Sequence, residues 1–468
     1  MFYMMNWREA INKREDELIR NTQSFLQIKS VLDEETANSK APFGKGIKEC
    51  YDWFLTLAEK DGFTVKDVDG YAGHIEWGEG EEIIGVLCHL DVVPEGDGWT
   101  SPPYAAEIRD GKIYARGAID DKGPTMAAYS ALKLLKELDL PLKKRVRIIV
   151  GNDEESQWRC VSHYFKHEDM PSSGFAPDAS FPIIYAEKGI CDLEYTKDIT
   201  LTEQGIVKEF YSGERFNMVP EQATAVLTEI NHSHVEESFN LFLHNQNLSG
   251  TVRKEGEELH LKLNGKSAHG LEPEKGINAG LMLAHYLVEE LSLTGEELSY
   301  FTTLNNYLYK GSRGDKLDIA FKDEEKGAVT LNTGILRYKP GFAGVIGINL
   351  RYPQGAQFTS MHEKINAVFK EHNYTGTIKA HEKPHAVEKN HPLIKTLSKV
   401  YEEQTGEEAV CIAIGGGTYA RSLKAGVAYG PLFPDQEDVA HQANEYISID
   451  NLKKATAIYA QAIYELAK

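Results

Sequence analysis

Histidine and carboxylate side chains follow several apolar segments in the first 180 residues of the chain. The motifs concerned are His89-Leu90-Asp91, Asp120-Asp121, Asp153-Glu154-Glu155 and Asp178. Each of them alone is typical of a solvent-exposed loop. Gathered in one crevice, the carboxylates would repel one another strongly unless a cation compensated their charge.

A mixed set of histidine and carboxylate ligands suits Zn²⁺ or Mn²⁺, and a carboxylate shared by two ions would make the site dinuclear. Such ions acidify a bound water, and a neighbouring carboxylate can take its proton. Residues two apart in a strand point to the same face, so Asp91 can accept the second ring N–H of His89. The motifs therefore predict a divalent metal site with an activated water.

The elements that position these motifs alternate between strands and helices. The nearly continuous apolar run Ile83–Leu90 predicts a strand buried on both faces, and Arg145–Val150 and Phe181–Ala186 predict further strands. Apolar residues from Ala128 to Leu138 recur at helical spacing. This alternation predicts an open α/β sheet, in which ligands bind outside the carboxyl ends of the strands.

The middle of the chain has a different pattern. Glu258–Leu263 alternates with a period of two, and Lys339–Phe342 is a plausible hairpin turn between two strand-like segments. Helical segments lie between these strands, so an α+β region is predicted to interrupt the first domain. The predicted parts are a catalytic domain over 1–186 and 384–468, and an inserted lid domain over 187–383.

Composition limits the class of protein. The 468 residues include 51 Lys+Arg and 71 Asp+Glu, a formal net charge of −20, and 41% are hydrophobic. This hydrophobic fraction is too high for a disordered acidic protein, and the negative charge argues against nucleic-acid and anionic-membrane partners. The five cysteines form no C-x-x-C pair, and neither a signal peptide nor a membrane-spanning apolar run is found, which predicts a cytoplasmic protein.

Seven segments resemble the co-catalytic metallopeptidase family of aminoacylases, carnosinases and glutamate-releasing carboxypeptidases, and are most similar to its bacterial V-type dipeptidases. They are CHLDVVP at 88–94, YARGAIDDKGP at 114–124, GNDEES at 151–156, FAPDASFP at 175–182, GKSAHG at 265–270, INLRYP at 348–353 and VAHQANEYI at 439–447. They follow the expected order across nearly the whole chain. The resemblance implies an open mixed-sheet α/β catalytic domain with an inserted α+β lid domain.

The resemblance also implies roles for individual residues. The implied metal ligands are His89 and Asp178 for one ion, Glu155 and His441 for the other, and Asp120 as the bridge between them. Asp121 remains an alternative bridge because spacing does not exclude it. Asp91 orients His89, Glu154 is the general base, and the peptide bond between Asp120 and Asp121 is expected to be cis.

The inserted region is expected to contact the substrate. The resemblance implies that His269 stabilises the tetrahedral oxyanion and that Asn217 contacts the substrate. Arg351 can bind a terminal carboxylate in bidentate fashion. The glycine turn that includes Gly416, Gly417 and Thr418, followed by Arg421, offers backbone N–H donors for an anion.

The implied function is a monomeric dipeptidase, with His269 acting within the same chain. It would hydrolyse dipeptides with a free amino terminus and a free carboxylate by means of a metal-bridged hydroxide. One alternative is an N-acyl-amino-acid deacylase or desuccinylase of the same family, and the other is a non-catalytic, metal-dependent peptide-binding protein. His163 and His167 have helical i, i+4 spacing but lack the glutamate of a zinc-peptidase helix, so they are interpreted as surface histidines.

Overall fold

The computed structural model describes residues 5–201, 205–228 and 230–468. Contacts between residues divide the chain into two compact units. The first unit contains Met1–Ala186, Ala386–Ala413 and Thr418–Lys468, and the second contains Glu187–His385 and Ile414–Gly417.

The described residues form eleven α-helices and three short 3₁₀ turns. The helices are α1 (Trp7–Asn12), α2 (Glu15–Leu26), α3 (Lys45–Lys60), α4 (Lys122–Glu137), α5 (Arg159–His167), α6 (His232–Asn245), α7 (Ala279–Glu290), α8 (Gly295–Tyr307), α9 (Phe358–Glu371), α10 (Pro392–Thr405) and α11 (Ile449–Ala467). The 3₁₀ turns are Pro273–Lys275, Asp315–Leu317 and Tyr419–Ser422.

The described residues also form 24 β-strands, which occur from Thr64 to Ser448. They are β1 (Thr64–Val68), β2 (Ala72–Trp77), β3 (Ile83–His89), β4 (Glu107–Arg109), β5 (Lys112–Tyr114), β6 (Arg145–Gly151), β7 (Ser173–Ala176), β8 (Ala179–Ser180), β9 (Ile183–Glu187), β10 (Gly189–Asp198), β11 (Val207–Ser212), β12 (Gln222–Leu227), β13 (Ser249–Glu255), β14 (Glu258–Asn264), β15 (Lys322–Asp323), β16 (Gly327–Ala328), β17 (Thr330–Tyr338), β18 (Ala343–Tyr352), β19 (Thr375–Glu382), β20 (His385–Ala386), β21 (Cys411–Ile414), β22 (Gly426–Ala428), β23 (Pro431–Leu432) and β24 (Tyr446–Ser448).

A nine-stranded mixed sheet forms the centre of the first unit. Its strand order is β1-β2-β6-β3-β7-β22-β9-β20, and β21 also pairs with β9. The three strands β6, β3 and β7 run parallel to one another, whereas β1 and β2 are antiparallel to their neighbours. All seven residues of β3 are buried, as its continuous apolar run predicts for a strand covered on both faces.

Helix α4 packs against this sheet through the apolar stripe that its sequence predicts. Ala128, Ala131 and Leu135 are fully buried, whereas Leu138 lies just beyond the helix and is 37% exposed. Pro124 lies in the first turn of α4, where the missing backbone N–H costs no helical hydrogen bond. The closing helix α11 belongs to the same hydrophobic core.

The second unit is built on an eight-stranded antiparallel sheet. Its order is β13-β14-β12-β11-β17-β18-β10-β19, and helices α6 to α9 lie in the same unit. Strand β14 alternates buried and half-buried residues, which confirms the predicted period of two. The predicted hairpin is also confirmed, because β17 and β18 pair on either side of Lys339–Phe342. The predicted α/β fold with an inserted α+β region is therefore correct.

Candidate metal centre

Three parallel strands bring the first site residues together. His89 at the end of β3 lies opposite Gly151 at the end of β6, and β7 pairs with the other side of β3. Because parallel strands end at the same edge of a sheet, the loop carrying Glu154 and Glu155 and the loop carrying Asp178 start beside His89. This edge is where the sequence predicts a ligand site.

The fully buried His89 ring faces acceptors on both sides. Its Nδ1 lies 2.9 Å from the backbone oxygen of Asp91, which can only accept, so Nδ1 carries the proton. Nε2 is directed at carboxylates, 2.9 Å from Oδ1 of Asp120 and 3.6 Å from Oδ1 of Asp178. This tautomer presents the Nε2 lone pair to a metal ion.

Asp91 acts through different atoms from those that the sequence predicts. Its backbone oxygen, and not its carboxylate, accepts the ring N–H of His89, while Oδ1 lies 3.6 Å from Nδ1. The two carboxylate oxygens instead accept the backbone N–H groups of Glu154 and Glu155, at 3.0 and 2.9 Å. The reason is that β3 ends at His89, so Asp91 lies outside the strand and its carboxylate is directed at the loop after β6.

The carboxylate of Asp120 lies between two histidines. Its Oδ1 is 2.9 Å from Nε2 of His89, and its Oδ2 is 3.0 Å from Nε2 of His441. The same nitrogen of His441 lies 3.0 Å from Oε1 of Glu155. Each oxygen of Asp120 is therefore directed at a different histidine.

Asp121 is directed away from these groups. Its Oδ2 accepts the backbone N–H of His89 at 3.1 Å and the hydroxyl of Thr125 at 3.2 Å. The peptide bond between Asp120 and Asp121 is cis, as the resemblance implies. Of the two neighbouring acids, Asp120 is thus the one whose carboxylate lies among the other candidate ligands.

Two groups of possible ligand atoms share His89. One contains His89, Glu154 and Asp178, the other contains His89, Asp120 and Glu155, and the atoms of each group lie within 4.8 Å of one another. Burial is the main cause that raises the pKa of Asp178 to about 6 and of Glu155 to about 7, and the nearby Asp120 carboxylate adds to it. Crowded, half-buried carboxylates with histidine nitrogens among them form a donor set that fits divalent cations.

Glu154 and His441 are two further ionisable groups at this site. Burial, with Asp178 and Glu155 close by, holds the pKa of Glu154 well above its usual range. Hydrogen bonds to Asp120 and Glu155 raise the pKa of the half-exposed His441 ring to about 11. Burial thus accounts for most of the shift at Glu154, whereas contact with two carboxylates accounts for the shift at His441.

Arg116 and Glu445 form a buried ion pair that sequence reasoning missed. The Arg116 Nη1 donates to Oε2 of Glu445 at 2.6 Å, and both side chains are at most 2% exposed. Oε1 of Glu445 accepts the backbone N–H groups of Ile119 and Asp120, at 2.9 and 3.3 Å. Arg116 also donates to the backbone oxygen of Gln442, next to His441. The pair therefore holds the loops of two candidate ligands, and its one sequence signal is that both residues fall within matching segments.

In the second unit, His269 has a defined tautomer. Its Nδ1 accepts the backbone N–H of Leu271 at 3.1 Å, so the neutral ring carries its proton on Nε2. Burial and the nearby Arg351 lower the pKa of His269, which favours this neutral ring. The backbone N–H of the next residue, Gly270, donates to the backbone oxygen of Asn217 at 2.7 Å. His269 and Asn217 therefore lie on adjoining segments, and Nε2–H of His269 is a hydrogen-bond donor.

Arg351 is buried near the end of β18. Its Nε donates to Oδ1 of Asn349 at 2.9 Å, and Asn349 in turn donates to Oδ1 of Asp192 at 2.6 Å. Nη1 donates to the backbone oxygen of Gly415 at 2.8 Å. These contacts hold the guanidinium beside the glycine turn of the same unit.

The remaining predicted residues are divided between the units. Gly416 and Gly417 follow β21 in the second unit, whereas Thr418 and Arg421 belong to the first unit. The Thr418 hydroxyl accepts the backbone N–H of Ala420 and so caps the 3₁₀ turn that contains Arg421. This local role was not predicted.

None of the helices in residues 5–201, 205–228 and 230–468 combines the length and apolar character that a bilayer-spanning helix requires. Cys50, Cys88, Cys160 and Cys191 are buried free thiols.

The chain is similar to known proteins in sequence and in fold. The chain is 52% identical over 475 residues to the "Putative dipeptidase YtjP" of Bacillus subtilis (strain 168), with 99% of this chain and all of that protein covered. It is 43% identical over 466 residues to a "Putative dipeptidase" of Staphylococcus epidermidis, with 98% and 99% covered. The aminoacylhistidine dipeptidase from Vibrio alginolyticus shares the fold, with a TM-score of 0.58 and 13% identity over 96% of each chain.

The family match covers most of the chain. Residues 85–465 match Peptidase family M20/M25/M40, and this range includes every candidate ligand from His89 to His441. The predicted family resemblance is confirmed by this match and by the relatives that cover nearly the whole chain. The chain belongs to Peptidase family M20/M25/M40 and is a hydrolytic peptidase.

Proposed function

We propose that the protein is a dipeptidase that depends on two divalent metal ions, Zn²⁺ or Mn²⁺. The observation that carries the proposal is the position of Asp120, whose two oxygens are directed at His89 and His441. A carboxylate in this position can bridge two ions. Relatives named as dipeptidases, at 52% and 43% identity over nearly the full chain, support the reaction class.

The proposed ligands divide into two sets that share Asp120. His89 and Asp178 hold one ion, and Glu155 and His441 hold the other. Asp91 supports both sets, because its backbone oxygen orients His89 and its carboxylate fixes the loop that carries Glu155. When bound, the two ions supply Lewis-acid polarisation of the scissile carbonyl and acidify the attacking water.

Glu154 is the proposed general base. It is next to the ligand Glu155 and its backbone N–H is fixed by Asp91 at 3.0 Å. It takes a proton from the attacking water and later gives this proton to the leaving amine. A half-buried carboxyl next to the ligand Glu155 can take up this proton and return it in the second step.

The second unit supplies most of the proposed substrate contacts, and Thr418 and Arg421 of the first unit supply the others. Arg351 binds the terminal carboxylate of the dipeptide, assisted by backbone N–H groups of Gly416 and Gly417, and Asn217, Thr418 and Arg421 are the further proposed contacts. The guanidinium is pre-positioned by Asn349 and by the oxygen of Gly415, so little rotational freedom is lost on binding. His269 donates its Nε2–H to the oxyanion of the tetrahedral intermediate.

Substrate profiling tests this function directly. Chelated enzyme should regain activity with Zn²⁺ or Mn²⁺ and hydrolyse dipeptides that have a free amino terminus and a free carboxylate. N-acetylated dipeptides and N-acyl amino acids serve as matched controls. If only the acylated compounds are hydrolysed, the protein is a deacylase; if none is hydrolysed while peptides bind in a metal-dependent way, it is a binding protein.

We also propose that the enzyme acts as a cytoplasmic monomer. The four buried free thiols, Cys50, Cys88, Cys160 and Cys191, support a reducing compartment. The monomer rests on the length of the inserted region, 199 residues from Glu187 to His385, and places His269 in the same chain as the metal ligands. Light scattering should give the mass of one chain at micromolar concentration, and a dimer whose dissociation removes activity would contradict this.

A further inference from the structure

A second cluster of metal-binding side chains lies on the surface of the first unit, apart from the candidate metal centre. Asp69, His163 and His167 each offer one ligand atom, and these atoms lie within 4.8 Å of one another. Asp69 and His167 are exposed, and His163 is half-buried. The sequence singles out the two histidines only as surface residues.

Helix α5 places both histidines on one face, because residues four apart lie one turn above each other. The two ring centroids are 4.4 Å apart. The Nδ1 of His167 lies 2.9 Å from the backbone oxygen of His163, which can only accept, so Nε2 of His167 carries a lone pair. Tyr71 stacks on the ring of His163 at 4.3 Å between centroids and restricts its rotation.

Asp69 supplies the third donor from the turn between β1 and β2. Its backbone has a φ of 54°, and its Oδ2 lies 2.9 Å from Nε2 of His163. Ligands of a tetrahedral Zn²⁺ ion at 2.0–2.1 Å are separated by about 3.3 Å, so a small adjustment would fit these atoms to one ion. On binding, the ion takes the place of the proton between Nε2 of His163 and Asp69, and the single proton of the neutral imidazole moves to Nδ1.

We propose that Asp69, His163 and His167 bind an additional Zn²⁺ ion, with water at the fourth position. Two imidazole nitrogens and one carboxylate favour Zn²⁺ strongly over Mn²⁺, which lies at the weak end of the divalent series. The site therefore differs from the candidate metal centre, whose carboxylate-rich donor set suits both ions. It does not depend on the dipeptidase reaction.

The position of the site gives it a structural consequence. The ion connects α5 to the β1–β2 turn, and the backbone oxygen of Gly70 in this turn accepts the side-chain N–H of Asn152 at 3.0 Å. Asn152 and α5 flank the loop that carries Glu154 and Glu155. Zinc at this surface therefore fastens both ends of the loop of the proposed base.

Equilibrium dialysis of the full chain against micromolar Zn²⁺, followed by metal analysis, tests the site. His167→Ala and Asp69→Asn should each bind one Zn²⁺ fewer per chain than the wild type, and asparagine tolerates the left-handed backbone at position 69. The control His244→Ala removes an exposed histidine from α6 and should leave the count unchanged. Equal counts for the wild type and both variants would overturn the proposal.

Two further measurements test whether the site prefers Zn²⁺ and whether it lies within one chain. Dialysis against Mn²⁺ should give the same count for the wild type and His167→Ala; a loss of one Mn²⁺ would overturn the proposed selectivity. Light scattering should show that zinc does not change the mass of the wild type. A zinc-dependent dimer that His167→Ala abolishes would mean that the ion is shared between two copies, which overturns a site within one chain. Because these counts are differences between variants, they remain interpretable if the protein is not a dipeptidase.

Discussion

The candidate metal centre of the first unit and the surroundings of Arg351 in the second unit concentrate charges of opposite sign. The metal centre gathers carboxylates around His89, and burial raises the pKa of Asp178 and Glu155. In the second unit, burial together with Arg313 and Arg351 lowers the pKa of Lys188. One region is therefore suited to cations and the other to an anion.

The two regions also differ in how their key side chains are held. Backbone groups do most of this work in the metal centre, where Asp91 and Glu445 accept N–H groups from the ligand loops. In the second unit, Asn349 on the same strand positions Arg351 and is itself held by Asp192 on the neighbouring strand β10. Loops need such fixing because they lack the ladder of hydrogen bonds that aligns strands.

The largest expected effect separates catalysis from metal binding within the metal centre. Glu154→Gln keeps the size of the side chain but removes the base, so kcat should fall by about 10²- to 10⁴-fold. Metal content should stay at the wild-type value, because Glu154 is not a proposed ligand. Steady-state kinetics with metal analysis measures both quantities, with Glu437→Gln, an exposed change, as the control. An active variant would remove the base from the mechanism.

Arg351→Lys tests whether the second unit recognises an anion by geometry or by charge alone. Lysine keeps the charge but cannot bind a carboxylate in bidentate fashion, so kcat/KM for dipeptides should fall by about 10- to 100-fold. Dipeptide amides, which lack the terminal carboxylate, should lose far less. If acids and amides lose activity equally, Arg351 does not bind that carboxylate.

Glu445→Gln tests the backbone fixing of the metal centre. The amide still accepts an N–H but no longer pairs with the charge of Arg116, so the loops of Asp120 and His441 lose their common support. Metal affinity should fall by about tenfold, as is typical when a group behind a ligand is changed. Competition with a chelator measures the affinity, and circular dichroism checks the fold. Unchanged affinity in a folded variant would limit Glu445 to a structural role.

The pH dependence of metal-free protein is the smallest expected effect. Asp178 and Glu155 have folded-state pKa values of about 6 and about 7, above the roughly 4 of an unfolded carboxyl. The folded state thus binds more protons, and the free energy of unfolding should decrease as pH rises from about 4 to about 7. The slope is at most about 1.4 kcal/mol per pH unit for each group.

Urea unfolding of the chelated enzyme at several pH values measures this slope, and Asp178→Asn should flatten it. Added Zn²⁺ should reverse the trend, because the ions require deprotonated carboxylates and so stabilise the fold more at higher pH. A free energy of unfolding that does not change with pH in the chelated wild type would show that the pKa values of Asp178 and Glu155 are not raised in the folded protein.

Local patterns predicted the elements well. The predicted strands Ile83–Leu90, Arg145–Val150 and Glu258–Leu263 each differ from β3, β6 and β14 by one residue at the carboxyl end. Periodicity succeeds here because each of these elements buries a regular face or a whole apolar run. The convergence of His89, Glu154 and Asp178 also followed from strand order and the rule for ligand sites at strand ends.

The contacts that fix the ligands were not predictable in the same way. Asp91 accepts the N–H of Glu154 across 63 residues of sequence, and Glu445 accepts that of Ile119 across 326 residues. The i, i+4 spacing of His163 and His167 was visible, but their third partner, Asp69, is 94 residues from His163. Such partners have no local signature, since any acid in a loop could take the same role.

The sequence by itself determined the fold class, the order of the motifs and the family. These depend on apolar periodicity and on the seven short segments that resemble the family. Only the tertiary structure distinguished Asp120 from Asp121, gave Asp91 its backbone contacts and joined Arg116 to Glu445. The physical reason is direction. Spacing states which residues are near in the chain, whereas a ligand or a hydrogen bond requires a particular atom to face a particular partner.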